Sequence, residues 1–157
     1  MKLKILPGKS NRKYTTTVPK DDSRVLIYYI RRILNVKNMR VLVCDDDEVV
    51  LKVVEVTLRE QGYEAILTRD GQEAMSALDR GEHFDLIITD IHMPYFNGDD
   101  ILKRVREEQG QPTPIIMLSS DGEEEVIALA LKQGVNEFLV KPVNTRDLLK
   151  KIRALLG

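Results

Sequence analysis

Short apolar runs alternate with helical patterns through most of the chain, and this alternation constrains the fold more than any other feature. Five such runs occur from Arg40 onward: Val41–Cys44, Ala65–Leu67, Leu86–Thr89, Ile115–Leu118 and Phe138–Val140. Four are continuously apolar, as is typical of strands covered on both faces, whereas Ala65–Leu67 is short and is predicted to lie at an edge. Strand–helix units repeated five times predict an α/β fold with a doubly wound, five-stranded parallel sheet and helices on both faces.

The helical patterns carry signals for their ends. Capping-box spacing, which is typical of helix N-termini, occurs at two places: Asp70 with Glu73, and Asn144 with Asp147. Glycine closes four of the helical patterns, where a residue with left-handed backbone is favoured: Gly62, Gly81, Gly110 and Gly134. These signals predict where the crossovers begin and end.

The charge distribution divides the chain near residue 39. Residues 1–39 contain ten Lys and Arg against two Asp and Glu, a net charge of +8, whereas residues 40–157 contain 14 against 23, a net charge of −9. This asymmetry predicts a basic N-terminal extension, residues 1–38, on an acidic domain, residues 39–157. Within the extension, the apolar segment Arg24–Val36 fits a helix or a strand, and its length and the preceding capping residues favour the helix.

Composition excludes several classes of protein. No apolar stretch of the 157 residues is long enough to span a bilayer, and the N-terminus lacks the pattern of a signal peptide. Cys44 is the single cysteine, which excludes disulfides within the chain and cysteine metal sites. A cytoplasmic protein is therefore expected.

Polar residues stand at the ends of four predicted strands. Asp45 and Asp46 follow the first strand, Asp90 ends the third, Ser119 ends the fourth and Lys141 ends the fifth. Because the carboxyl ends of parallel strands meet at one edge of a sheet, these side chains are expected to lie together. Carboxylate oxygens are suitable ligands for Mg²⁺, and a lysine and a hydroxyl beside them suit a phosphate.

Each of these residues also has an ordinary structural interpretation. Asp45–Asp47 could cap a helix, Ser119 could stabilise a turn and Lys141 could be a solvated surface lysine. Asp90 is the hardest to explain in this way, because a carboxylate that ends an apolar strand must be hydrated, paired or metal-bound. The coincidence of all five at strand ends favours a functional site.

Four segments around these residues resemble the receiver domain of two-component response regulators: VLVCDDDE, DLIITDIHMPYFNG, PIIMLSS and NEFLVKP. The resemblance covers about Met39–Gly157 and implies a flavodoxin-like fold. It implies that Asp90 accepts a phosphoryl group from the phosphohistidine of a sensor histidine kinase or phosphotransfer protein. It also implies that Asp45, Asp46, Asp90 and the backbone carbonyl of His92 hold Mg²⁺.

The same resemblance implies how the site acts. Lys141 would pair with the phosphoryl group, Ser119 would hydrogen-bond it, and the Lys141–Pro142 bond would be cis. Phe138 would then turn inward and remodel the surface formed by the fourth helix, fifth strand and fifth helix, which signals to a downstream protein effector. Such a chain is a phosphoacceptor that assists its own phosphorylation and dephosphorylation, and is not an enzyme acting on a separate substrate. Ser119 stands where threonine is more frequent, and Phe138 where a tyrosine could make a hydrogen bond.

Other functions remain open at this stage. The basic extension could bind nucleic acid or an anionic membrane surface, although it contains no convincing helix-turn-helix or RNA-binding motif. It could instead dock on its own domain or on the mate in a homodimer through Leu26, Ile30 and Ile33. The domain could also be a degenerate receiver used as a protein–protein scaffold.

Two other classes of protein are not favoured. A flavin-binding protein is disfavoured because Asp45–Asp47 would repel the phosphate of a flavin. An Asp-x-Asp phosphatase is disfavoured because His92 stands where that class needs its second aspartate.

Overall fold

A computed structural model describes Ile30 and residues 38–157. The helix predicted over residues 24–36 lies, apart from Ile30, outside the described residues, and so does the rest of the basic extension except Asn38. The described domain has five strands, β1 (Arg40–Cys44), β2 (Glu64–Thr68), β3 (Leu86–Asp90), β4 (Ile115–Ser119) and β5 (Glu137–Val140). Its five helices are α1 (Glu48–Glu60), α2 (Gly71–Asp79), α3 (Gly98–Lys103), α4 (Glu124–Lys132) and α5 (Thr145–Leu156).

The strands form one parallel sheet in the order β2-β1-β3-β4-β5. The predicted architecture is therefore confirmed, and β2 lies at an edge as its short apolar run indicates. The register pairs Cys44 with Thr89, Asp90 with Leu118, and Ser119 with Val140. Strands β1, β3, β4 and β5 are consecutive neighbours, so their carboxyl ends form one continuous edge of the sheet.

Two apolar cores cover the two faces of the sheet. One core joins alternate residues of the strands to helices α2, α3 and α4, and includes Leu42, Ile87, Met117 and Phe138. The other joins the intervening strand residues to α1 and α5, and includes Val43, Ile88, Leu118, Leu139 and Leu148. Burial on both faces explains why the strands are continuously apolar instead of alternating.

The helix ends follow the sequence signals in part. Gly62, Gly81, Gly110 and Gly134 all have positive φ, as predicted. The side chain of Asp70 accepts a hydrogen bond from the Glu73 N–H, but the Glu73 carboxylate accepts from the N–H of Arg69 and so does not close a box on Asp70. Asn144 accepts from the N–H groups of Arg146 and Asp147 and caps α5. The hydrogen-bond partner of each capping side chain therefore depends on the backbone path just before the helix.

Two features of α3 have no counterpart in the sequence predictions. A reciprocal capping box, with Asn97 accepting from the Asp100 N–H and Asp100 accepting from the Asn97 N–H, begins the helix. A π-helical turn over Arg104–Glu108 continues it. Among the described residues, no helix is long and apolar enough to cross a membrane.

Candidate functional site at the carboxyl edge of the sheet

The structure brings the predicted site residues to one edge of the sheet. Asp45 and Asp46 directly follow β1, Asp90 is the last residue of β3, Ser119 the last of β4, and Lys141 directly follows β5. Strand order alone makes these positions neighbours, since β1, β3, β4 and β5 lie side by side. We refer to Asp45, Asp46, Asp90, Ser119 and Lys141 as the carboxyl-edge site.

Three carboxylates converge in the carboxyl-edge site. Asp45, Asp46 and Asp90 each offer an oxygen, and these oxygens lie within 4.8 Å of one another. Asp45 is fully buried, Asp90 is 6% exposed and Asp46 is exposed to solvent. Like charges at this separation repel strongly away from bulk water, so the arrangement requires cations.

Lys141 supplies one positive charge. Its Nζ lies 2.7 Å from Asp45 Oδ2 and 3.2 Å from Asp90 Oδ2. The Lys141–Pro142 bond is cis, as the resemblance implied, and the Lys141 N–H donates to the Ser119 carbonyl at 2.8 Å. Burial opposes the charge on Lys141, but its contacts with the two carboxylates outweigh burial and raise its pKa. The ammonium group is therefore held in its charged form between two acids.

One lysine does not compensate three carboxylates. Burial raises the pKa of the Asp45 carboxyl, and the nearby charge of Asp90 acts in the same direction, against the hydrogen bonds from Lys141 and the Asp47 N–H. Asp45 Oδ1 accepts from the Asp47 N–H at 2.9 Å, and Asp45 Oδ2 lies 2.7 Å from the Lys141 ammonium. A hard divalent cation fits this donor set, because it would add the missing charge and take oxygen ligands.

The acidic cluster after β1 has two separate roles. Asp47 is the N-cap of α1, and its side chain accepts from the N–H groups of Val49 and Val50. Asp45 and Asp46 remain for the carboxyl-edge site. The ordinary capping interpretation of this cluster is therefore correct for one of its three residues.

Ser119 and Phe138 lie where the chain can link the site to a neighbouring surface. The Ser119 hydroxyl is fully buried and accepts a hydrogen bond from the Asp121 N–H at 3.0 Å, which shapes the loop between β4 and α4. Phe138 is 7% exposed and belongs to the core under α4. The side chain of Phe138 is thus already turned inward in this structure.

The loop after β3 holds features that the sequence analysis missed. The N–H of Gly98 donates to the carbonyl of Ile91 at 2.8 Å, and a Cβ at residue 98 would come within 2.6 Å of the Asp90 carbonyl oxygen. Gly71 gives space to the same loop, since a Cβ there would overlap the backbone of Phe96. The spacing of Asn97 and Asp100 was the available signal for this helix start. The side chain of His92, in the same loop, is exposed.

Comparison with known proteins agrees with this geometry. Residues 41–153 match the family model of the response regulator receiver domain. Chemotaxis protein CheY1 of Helicobacter pylori is 37% identical over 121 residues, which is 76% of this chain and 98% of that protein. The transcriptional regulatory protein CpxR of Escherichia coli is 38% identical over 117 residues, 74% of this chain but 49% of CpxR.

Solved structures show the same fold. The Francisella response regulator 1452 receiver domain superposes with a TM-score of 0.71 at 32% identity, over 76% of this chain and 97% of that one. Chemotaxis protein CheY4 of Vibrio cholerae superposes with a TM-score of 0.69 at 35% identity, over 76% of this chain and all of that one. The matched family, the shared fold and the acidic edge with its lysine agree, and this chain belongs to the response regulator receiver domain family of two-component systems, the phosphorylation-activated switches.

Proposed function

We propose that Asp90 is the phosphoacceptor of this chain and receives its phosphoryl group from the phosphohistidine of a sensor histidine kinase or phosphotransfer protein. The observation that supports the proposal most strongly is the position of the Lys141 ammonium. It contacts both Asp45 and Asp90, and a third carboxylate, Asp46, lies close to these two. Of the three carboxylates, Asp90 is the one at the end of a central strand, and it is largely buried but keeps a small solvent-exposed fraction. It can therefore react while the others provide the electrostatic environment.

The transfer is a displacement at phosphorus. A carboxylate oxygen of Asp90 forms the new P–O bond, the P–N bond to the donor imidazole breaks, and the freed imidazole nitrogen recovers a proton from solvent. Positioning and charge stabilisation account for most of the catalysis in such transfers. Lys141, already 3.2 Å from Asp90 Oδ2, would stabilise the negative oxygens of the transferred group. The Ser119 hydroxyl would donate a hydrogen bond to one of these oxygens.

Mg²⁺ fits the remaining charge of the site. Asp45, Asp46 and Asp90 would hold it, and family resemblance adds the backbone carbonyl of His92. Bound there, the ion would neutralise part of the charge on the carboxylates and the incoming phosphoryl group. The convergence of three carboxylates on a site where Lys141 is the one neighbouring cation among the described residues supports this assignment.

The output of the switch is proposed to pass through Ser119. The Ser119 hydroxyl accepts a hydrogen bond from the Asp121 N–H. A phosphoryl group that moved this hydroxyl toward itself would therefore shift the loop that leads into α4. Phe138 packs in the core below α4 and would respond to that shift. Exposed apolar side chains on α4 and β5, Leu129 at 56% and Val140 at 40%, support a protein effector binding the surface of α4, β5 and α5. We propose a cytoplasmic location for this exchange.

The test is the intact mass of the full chain after incubation with acetyl phosphate, with and without Mg²⁺. We expect wild type to gain one phosphoryl group only when Mg²⁺ is present, and Asp90→Asn to gain none. Asp99→Asn is the matched control, because Asp99 is an exposed aspartate in the first turn of α3 and should leave incorporation unchanged. Incorporation into Asp90→Asn at the wild-type rate would exclude Asp90 as the acceptor.

A second measurement separates metal binding from chemistry. Mg²⁺ at ten times its Kd should raise the free energy of unfolding by about 1.4 kcal/mol. Asp46→Asn should remove most of this gain, since Asp46 is exposed and its replacement leaves the core intact. An unchanged response to Mg²⁺ in that variant would remove Asp46 from the ligand set.

A further inference from the structure

The outer side of β2 is an open edge of the sheet. Within the described part of the chain, β2 pairs with β1 on one side and with no strand on the other. The Thr68 carbonyl accepts a hydrogen bond from the Asp45 N–H, so the backbone groups of Thr68 face β1. Because successive residues of a strand direct these groups to opposite sides, the N–H and C=O of Ala65 and Leu67 point away from β1. The edge therefore presents donors and acceptors to which a further strand could bind.

β2 has few of the features that keep an edge strand from pairing. Its five residues contain no proline and no lysine, and they carry a charge only at the first position, Glu64. Their register with β1 is continuous, which excludes a bulge. The other edge strand, β5, has four residues and is followed directly by Lys141 and Pro142. Since short length, lysine, proline and bulges are the usual protection of an edge, β2 is the less protected of the two.

A groove runs along β2 on the face of the sheet that α2 covers. Its volume is about 450 Å³, and Ile66 of β2 and Ser76 and Ala77 of α2 are among the residues that line it. Ile66 is the central residue of β2 and is only half-buried. On this face, α2 therefore leaves room beside the edge for the side chains of an added strand.

On the other face of the sheet, α1 carries a stripe of alternating charge beside the same edge. The stripe consists of Glu48, Lys52, Glu55 and Arg59. These residues lie three or four positions apart, so they share one side of the helix, with charges that run negative, positive, negative, positive. Glu48 contacts Arg69, the residue after β2, at 2.6 Å, which places this side of α1 toward the edge strand. When its direction is reversed, the stripe is complementary to itself.

The stripe and the edge strand are centred at the same level. Near the start of α1, Glu48 contacts Arg69, which lies three residues after Ile66. Near the end of α1, the Leu58 carbonyl accepts from the N–H of Tyr63, which lies three residues before Ile66. The middle of α1 is therefore level with Ile66, and one two-fold axis through Ile66 can relate both elements to those of a second copy.

We propose that this chain forms a homodimer in which the β2 strands of two copies pair antiparallel about a two-fold axis at Ile66. The pairing joins the two five-stranded sheets into one. Ala65 of one copy then lies opposite Leu67 of the other, and the two exchange hydrogen bonds through the backbone groups that point away from β1. On the α2 face, Ile66 meets Ile66 of the second copy, and on the α1 face Tyr63 meets Arg69.

Charge complementarity identifies a second copy as the occupant of this edge. An axis perpendicular to the sheet keeps α1 of both copies on the same face and makes the two helices antiparallel. Glu48 of one copy then faces Arg59 of the other, and Lys52 faces Glu55, so every position of the stripe meets its opposite charge. The proposal does not rest on the proposed function of Asp90, because the carboxyl edges of the two copies lie at opposite ends of the joined strands.

The test measures the mass of the full chain in solution by sedimentation equilibrium over a concentration series. We expect the wild-type mass to approach that of two chains as the concentration rises. Two charge variants address the stripe: Lys52→Glu with Arg59→Glu makes it wholly acidic, and Glu48→Lys with Glu55→Lys makes it wholly basic. Each variant alone should raise the dissociation constant about tenfold or more, because like charges then face each other. Mixed in equal amounts, the two variants should form a heterodimer at least as tight as the wild-type dimer.

A separate variant addresses the strand. Ala65→Pro removes an N–H that points away from β1, so it should weaken the dimer about tenfold or more while the bonds between β1 and β2 persist. In wild type, hydrogen exchange of the Ala65 and Leu67 amides, followed by NMR, should slow as the concentration rises. The matched control is Lys103→Glu with Lys132→Glu, which makes the same change of net charge as the acidic variant at exposed lysines of α3 and α4. It should keep the dissociation constant within about twofold of wild type.

Four results would overturn the proposal. One is the mass of a single chain at every concentration. Another is a dimer that the charge variants and Ala65→Pro leave as tight as in wild type, which would place the contact on a different surface. The third is a failure of the acidic and basic variants to associate when mixed. The last is exchange of the Ala65 and Leu67 amides that does not depend on protein concentration.

Discussion

The two edges of the sheet treat charge in opposite ways. At the carboxyl edge, Asp45 and Asp90 share the ammonium of Lys141, and Asp46 adds a third carboxylate within 4.8 Å of the other two. At the amino edge, Arg40 at the start of β1 contacts Glu82 at 2.9 Å and Glu64 at 3.4 Å, and its guanidinium lies 5.3 Å from the ring centre of Phe84. The amino edge is thus locally paired, and the carboxyl edge has an excess of negative charge.

A second site at the amino edge shows the same principle without carboxylates. The guanidinium of Arg106 donates to the carbonyl oxygens of Gln111, Thr113 and Gly134 and to the side-chain oxygen of Asn136, at 2.7–3.2 Å. These acceptors lie just before β4 and β5, so one side chain ties the two strand starts to the end of α3. The amino edge thus pairs its charged groups with local partners, whereas the carboxyl edge keeps an excess of negative charge that a bound cation can balance.

The largest effect should come from removing the single cation of the carboxyl edge. Lys141→Met leaves buried Asp45 without a counter-charge, and in the absence of Mg²⁺ we expect the free energy of unfolding to fall by about 3–5 kcal/mol. Urea denaturation measures the loss. The matched control is Lys151→Met, whose partner Glu137 is half-buried, with an expected loss below about 1 kcal/mol.

The double variant Asp45→Asn, Lys141→Met sharpens this prediction. Because the double variant removes the buried Asp45 carboxylate that Lys141→Met leaves without a counter-charge, it should be more stable than Lys141→Met alone. Equal losses for Lys141→Met and Lys151→Met would contradict the view that the carboxyl edge is the under-compensated one.

An intermediate effect is expected at Arg106. Arg106→Ala leaves the Thr113 carbonyl and the Asn136 side chain without this donor, and we expect a loss of about 2–3 kcal/mol in the free energy of unfolding. Arg106→Lys should recover only part of the loss, because an ammonium cannot span four acceptors arranged for a planar guanidinium. Arg80→Ala, which removes an exposed arginine paired with Glu82, should cost below about 1 kcal/mol. A loss at Arg106 as small as that expected at Arg80 would show that the amino edge does not depend on the Arg106 hydrogen bonds.

The smallest effect should depend on pH. The hydrogen bond from Arg40, and next that from Arg80, lowers the pKa of Glu82 below its ordinary value of 4.5. The stabilisation is therefore present above the ordinary pKa of glutamate and is lost as the pH falls through the lowered one. Glu82→Gln should have a lower melting temperature than wild type near about pH 7, and the two should converge near about pH 3. A difference that persists unchanged at low pH would indicate a packing effect instead of a charge effect.

Most of the fold could be predicted from local pattern. The apolar runs located all five strands to within a residue or two, because strands buried on both faces have no polar interruptions. Four of the five described glycines with positive φ were predicted, because glycine reaches that conformation without a steric penalty. The positive φ of Tyr95, 69°, was not predicted, because tyrosine disfavours that conformation; the N–H groups of Gly71 and Phe96 both donate to the neighbouring Pro94 carbonyl and fix the backbone there.

Local patterns along the chain are enough to predict the strand–helix alternation, the four helix ends at glycine, and which polar residues stand at strand ends, since each depends on residues a few positions apart. The pairing of the strands is needed to bring Asp45 and Asp46 to Asp90, to leave Asp47 as the cap of α1, and to let Lys141 reach both Asp45 and Asp90. The contacts of Asp45, Asp46, Asp90 and Lys141 with one another between strands join residues 44 to 96 positions apart along the chain. They arise from the order in which parallel strands pair, which sets distances that no local pattern can specify.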